Sequence, residues 1–183
     1  MARVLIPLAQ GCEELEAVTI IDLLRRAGIE VITAGLDDQP VKASRGVMLL
    51  PDTTLDNALK LDYDLVALPG GLPGADYLNE EPRILELLKK MARQNKYTAA
   101  ICAAPKVLAS VGLLDGIRAT AFPGTLEKLN LSNTTIESVP VIQEGKVITS
   151  RGPGTAMDFA LTLIENLAGK EKRDTVEAGL QRP

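Results

Sequence analysis

The sequence predicts an α/β fold, a mostly parallel sheet covered by helices on both faces. Three observations carry that expectation. Short apolar runs alternate with stretches whose apolar residues recur at helical spacing. The first 35 or so residues already hold one strand, one helix and a second strand, the βαβ unit that parallel sheets require. The run Thr98-Ala99-Ala100-Ile101 ends on Cys102-Ala103-Ala104-Pro105, which reads as a buried strand, a sharp turn and a helix start, a nucleophile elbow.

In order, Arg3 to Leu8 is the first strand, followed by the loop Ala9-Gln10-Gly11-Cys12. A helix then carries Val18, Ile21 and Leu24 on one face and stops at Ala27-Gly28. Glu30 to Ala34 is the second strand. Gln39 to Leu50 reads as a hairpin or excursion around Ser44-Arg45-Gly46, and Leu55 to Leu59 as a helical turn. Asp64 to Leu68 is a strand that runs into Pro69-Gly70-Gly71-Leu72-Pro73-Gly74. That loop lacks the Lys-Ser/Thr and Gly-x-Gly-x-x-Gly spacings of phosphate sites, so it reads either as a plain turn or as backbone able to approach a ligand closely.

Pro82 to Asn95 is a surface helix with Ile84, Leu85, Leu88 and Met91 inward. The helix after Cys102 runs to about Val111 and closes at Gly112. Ala119 to Phe122 reads as a strand broken by Pro123-Gly124. Val139 to Ile142 and Lys146 to Thr149 flank the turn Glu144-Gly145. Ser150-Arg151-Gly152-Pro153-Gly154-Thr155 leads into a last amphipathic helix, and the charged tail ends in a short one. In such a topology the loops carrying Cys12 to Glu16, Gly70 to Gly74 and Cys102 fall on one edge of the sheet.

The 183 residues are expected to form one domain, 1–183. A net charge of -4 without a basic stripe argues against a nucleic-acid groove or an anionic membrane surface as partner. No apolar run approaches the ~20 residues of a spanning helix. The start passes directly into a strand with no signal-peptide anatomy, so the cytoplasm is the expected compartment. There, Cys12 and Cys102 point to catalytic or redox use before a structural bridge. The absence of histidine has the sharpest consequence. Cys-His and Ser-His chemistry is excluded within one chain, and two cysteines cannot build an all-thiolate metal site. No metal or organic cofactor is expected.

Cys102 is therefore the candidate nucleophile. The start of the following helix should lower its pKa. A free cysteine is also a small hydrophobe that cores use readily, and Ile101-Cys102-Ala103 alone does not decide between the two. Glu16 follows Leu15 and precedes Ala17-Val18, so it is expected to face inward. A buried carboxyl can stay protonated and donate to sulfur. Glu13 and Glu14 are expected to reach water and merely complement the helix dipole.

Gly11-Cys12-Glu13-Glu14-Leu15-Glu16, Ser44-Arg45-Gly46, Leu68-Pro69-Gly70-Gly71, Ala100-Ile101-Cys102-Ala103-Ala104-Pro105 and Ser150-Arg151-Gly152-Pro153-Gly154-Thr155 together resemble the ThiJ/PfpI superfamily. More narrowly they resemble its Parkinson-disease-protein and YajL branch, often called protein deglycases. The resemblance covers nearly the whole chain. It implies a flavodoxin-like three-layer sandwich, class I glutamine amidotransferase-like, that forms a homodimer. It further implies Cys102 as an oxidation-prone nucleophile hydrogen-bonded to Glu16. The Gly70-Gly71 loop and Ala103 would supply an oxyanion site through the Gly71 and Ala103 N–H groups. Arg45 and, from a facing subunit, Arg26 or its neighbour Arg25 would favour anions, and Pro153 would line the pocket.

Some relatives carry a histidine near the nucleophile, where this chain has Ala121-Phe122-Pro123, which weakens peptidase and amidotransferase readings. The implied substrates are methylglyoxal, glyoxal or their adducts on proteins and nucleotides, in protection against carbonyl and oxidative stress. The alternative is a redox-sensing chaperone with client proteins, in which oxidation of Cys102 to sulfinate is the functional event. Cys12 would be a bystander or a resolving thiol.

Overall fold

A computed structural model describes residues 1–183. β1 (Arg3–Leu8) leads through a loop to α1 (Glu14–Arg26), and the chain returns as β2 (Glu30–Gly35). β1 pairs in parallel with β2 on one side and with a later strand on the other, which is why five of its six residues are buried. α1 closes at Ala27, and Gly28 takes the positive φ of 75° that the exit requires.

An excursion follows, β3 (Val41–Lys42) against β4 (Met48–Leu49), with Ser44-Arg45-Gly46 at its turn. β5 (Thr53–Thr54) adds a short edge, and α2 (Leu55–Ala58) is capped by the Thr54 side chain. Next come β6 (Leu65–Leu68), α3 (Gly74–Glu80), α4 (Pro82–Arg93), β7 (Tyr97–Ile101) and α5 (Pro105–Ser110). β8 (Arg118–Ala119) and β9 (Thr135–Ile136) pair only with each other. β10 (Val141–Glu144) and β11 (Val147–Ser150) form a hairpin, and α6 (Ala156–Ala168) and α7 (Lys170–Gly179) close the chain.

The main sheet has the order β10-β11-β7-β6-β1-β2-β5, parallel except for the β10–β11 pair. α1, α6 and α7 pack together as one layer, and α3, α4 and α5 as another. Phe159 of α6 is among the largest side chains sealed in the core. From β1 the chain moves outward to β2, then crosses back to β6 on the other side of β1. That reversal leaves a crevice at the carboxyl ends of β1 and β6, where open α/β sheets bind ligands.

Three expectations shift. α3 lies in a stretch, between the loop ending at Gly74 and the helix at Pro82, for which the sequence predicts no element, and it buries Ala75 and Leu78. The strand expected over 119–122 shrinks to β8, because Thr120 spends its N–H on the Thr149 hydroxyl at 3.0 Å instead of a ladder. On α4 Leu87 is buried, whereas Leu85 only packs against the margin of the core.

Candidate active site

Cys102 stands at the end of β7 with φ 63°, a left-handed conformation that a side chain rarely takes and that aims it out of the strand-to-helix turn. Its N–H donates to Ser150 O at 3.0 Å, and its carbonyl accepts from Phe122 N–H at 2.9 Å. The residue is thus clamped between the end of β11 and the segment after β8. It is buried but not fully sealed, with 8% of its surface exposed.

The loops that meet it approach backbone to backbone. A Cβ on Gly70 would lie 2.6 Å from Cys102 Cβ and 2.9 Å from Ala103 N. One on Gly71, which also has φ 85°, would lie 2.3 Å from Glu13 N. Only glycine permits this packing. Glu13 N–H donates to Gly70 O at 2.9 Å, tying the loop after β1 to the loop after β6. The convergence expected from topology is what the chain forms.

Glu16 is 0% exposed. Its Oε2 accepts from Gly70 N–H at 2.8 Å. Its Oε1 is buried with no hydrogen-bond partner, and the carboxyl lies close enough to the Cys102 thiol that each group shifts the other's acidity. Burial raises the Glu16 pKa to about 7, and the Gly70 N–H and Cys102 only partly offset it. Burial first, then the neighbouring Glu16 carboxylate, push Cys102 up to about 12, against the pull of the Gly71 and Ala103 N–H groups.

The expected depression of the thiol pKa is therefore reversed. α5 has only six residues, too little helix dipole to outweigh an adjacent carboxylate and a dry setting. The reactive arrangement forms when the proton crosses from Sγ to Glu16, whose pKa of about 7 suits a base near neutral pH.

Glu14 also departs from expectation, being buried instead of reaching water. It accepts from Arg45 N–H at 2.8 Å and from the Ser44 hydroxyl at 3.0 Å, which pins the β3–β4 turn to the start of α1. Burial alone would raise its pKa, but its own N–H, the Ser44 hydroxyl and the Val47 and Arg45 N–H groups bring it below the usual value. Glu13 caps α1 and shares the Ser44 hydroxyl at 2.9 Å.

The structure so gathers Cys102, Glu16, Gly70, Gly71 and Ala103, while Pro153 opens the turn after β11, three residues past the Ser150 carbonyl that accepts the Cys102 N–H. Arg45 has its backbone fastened near the site, while its guanidinium is exposed and makes no ion pair within the chain. Arg26 is not brought to the site. It pairs with Asp22 at 2.7 Å at the far end of α1, ten residues or about 15 Å from Glu16. Arg25 is committed to Asp52 and Val31 O.

Cys12 is buried, and its thiol is raised to about 12 by burial and by Glu14. Sequence reasoning missed the fastening by Glu14 and the placement of Phe122. The first depends on a hairpin 30 residues away, and only the odd exposed aromatic in 121–123 hints at the second. No cluster of His, Cys, Asp and Glu side chains is arranged to hold a metal ion. No helix is long and apolar enough to cross a membrane.

A parallel sheet with a strained cysteine elbow at its carboxyl edge, facing a buried carboxyl, defines a class of α/β cysteine proteins. Within that class the chain belongs to the DJ-1/PfpI family, whose model matches residues 2–166. It is 44% identical over 177 residues to the Drosophila melanogaster protein dj-1beta, covering 96% of this chain and 95% of that one. The crystal structure of Drosophila DJ-1beta superposes with a TM-score of 0.94 at 42% identity, covering 100% of this chain and 98% of that one. A Caenorhabditis elegans relative named glutathione-independent glyoxalase DJR-1.2 is 36% identical over 175 residues, 96% of this chain and 92% of its own. The Arabidopsis thaliana DJ-1 homolog B is 47% identical over 172 residues, 93% of this chain, which spans 39% of that longer protein.

Proposed function

We propose that the chain is a cofactor-independent cysteine enzyme acting on 2-oxoaldehydes such as methylglyoxal and glyoxal, or on their adducts with proteins and nucleotides. The observation that carries this reading is a buried Glu16 with one unpartnered carboxyl oxygen, next to Cys102 on its strained elbow. A base with a pKa of about 7 suits proton transfer at neutral pH.

Glu16 takes the Sγ proton as sulfur adds to the aldehyde carbon. The carbonyl oxygen collects negative charge opposite the Gly71 and Ala103 N–H groups and receives the proton back, giving a hemithioacetal. Glu16 then removes the proton on the former aldehyde carbon and returns it to the neighbouring carbon. The product is a thioester of a 2-hydroxy acid, which water cleaves to lactate or glycolate and the free thiol. The name of the nematode relative supports the substrate class. Cys102→Ser should abolish lactate formation from methylglyoxal, and retained turnover in purified protein would refute the reading.

The active form in this reading is a homodimer. Exposed Leu15 and Val18 on α1 lie beside exposed Val47 and Met48 of the hairpin that Glu14 fastens there. Two α1 helices packed antiparallel would bring Arg26 of a second copy toward Arg45 and Glu16. The orphan oxygen also favours a second reading, a redox-sensing role. Once protonated, it would donate to a sulfinate on Cys102. An unmodified intact mass after mild peroxide would count against that role.

A further inference from the structure

Phe122 stands out among the aromatic residues. The chain has two phenylalanines; Phe159 is sealed in the core, whereas Phe122 is 50% exposed. Its placement is fixed by the nucleophile itself, since Phe122 N–H donates to Cys102 O at 2.9 Å. The backbone then turns away sharply: Thr125 N–H donates to Phe122 O at 3.0 Å, and Gly124 takes φ 82°. Ala121 is buried immediately before it, so the chain leaves the core at this residue.

The ring does not swing free. Its Cδ2 and Cε2 lie 3.4 and 3.9 Å from the point a Cβ on Gly152 would occupy, so one part of the ring rests on the Gly152 backbone. Gly152 follows the segment whose Ser150 carbonyl accepts the Cys102 N–H. Half of the residue remains exposed, on a backbone hydrogen-bonded to the elbow, and its ring has no polar atom of its own to interest a solvent molecule.

We infer that Phe122 is a specificity residue, an apolar wall that favours 2-oxoaldehydes of the form R–CO–CHO with a hydrophobic R group over glyoxal, where R is hydrogen. This rests on the proposed reaction, in which sulfur adds to the terminal aldehyde and leaves R two carbons from Sγ, on a nucleophile whose own carbonyl is hydrogen-bonded to the Phe122 backbone. An aryl R gains most, because it can stack against the exposed ring face. An open wall covers part of a substituent, so the discrimination sits at the lower end of what hydrophobic pockets achieve, about tenfold.

The test compares kcat/KM for glyoxal and phenylglyoxal, read as glycolate and mandelate, in the full chain and in Phe122→Ala and Phe122→Tyr. The phenylglyoxal-to-glyoxal ratio should fall about tenfold in Phe122→Ala and persist in Phe122→Tyr. A ratio unchanged in Phe122→Ala, including a parallel loss of both rates, overturns the inference.

A second measurement needs no turnover. Cys102 displaces chloride from N-benzylchloroacetamide or chloroacetamide, forming an S–C bond and releasing chloride and a proton, and intact mass gives the two rates. Their ratio should also fall in Phe122→Ala. Absent 2-hydroxy acid with a Phe122-dependent alkylation ratio would refute the proposed reaction and leave the wall standing. Turnover with an alkylation ratio indifferent to residue 122 would refute the wall alone.

Discussion

Replacing Glu16 by Gln tests the proton inventory of the site in three independent readouts. A carboxyl whose pKa rises from 4.5 to about 7 on folding binds its proton more tightly in the folded chain than in the unfolded one. Its contribution to stability is therefore complete below the unfolded value and is lost as the pH rises through about 7. At 1.36 kcal/mol per pH unit the full loss is about 3 kcal/mol, most of which falls between about pH 5 and pH 8. Glu16→Gln keeps an acceptor for the Gly70 N–H and removes the titration. Relative to the parent, the variant should gain about 2 to 3 kcal/mol between those two pH values, or about 5 to 10 °C in Tm for a chain of this size.

Urea unfolding at both pH values reads that difference directly, and taking the difference cancels the fixed cost of burying an amide. Turnover should drop about 10²- to 10⁴-fold, as expected on losing a positioned acid–base group. Alkylation of Cys102 near pH 8 should slow, because the group that takes the thiol proton is gone. Faster alkylation in Glu16→Gln, or equal stability changes at the two pH values, would refute the thiol-and-base description.

Two further outcomes follow from the packing around the elbow. Gly70→Ala places a methyl 2.6 Å from Cys102 Cβ and 2.8 Å from Ile101 O, neither of which can step aside, so the loop after β6 must move. Calorimetry should show a destabilisation of about 2 kcal/mol or more, and turnover should fall to background as the Gly71 N–H leaves the sulfur. Glu14→Gln should cost about 1 to 2 kcal/mol at pH 7 by weakening charge-assisted bonds to the β3–β4 turn. Because the folded Glu14 pKa is depressed, that cost should vanish as the pH drops below the ordinary carboxylate range, which acid-unfolding curves of parent and variant will show.

Much of this arrangement was legible beforehand because it is written in local chemistry. The β1–α1–β2 unit, the elbow at Cys102 and the inward turn of Glu16 each follow from apolar spacing and small residues within a dozen positions. α3 was missed because Gly74 through Glu80 begins with glycine and carries two buried apolar residues in seven, too little periodicity to register. The thiol acidity came out with the wrong sign, since its largest cause is burial by distant loops and its second is a charge 86 positions earlier. Glu14 and Phe122 owe their roles to partners 31 and 20 positions away, Arg45 N and Cys102 O. No reading of neighbouring residues could have supplied those partners.

Gly70, Gly71 and Gly74 press main chain against main chain, leaving no side chain between the loops to trim or enlarge. The floor of the cleft is consequently inherited whole, and variation must come from the margin. If the proposed reaction holds, engineers seeking new substrates should leave the three glycines untouched and diversify the exposed positions 122 and 45.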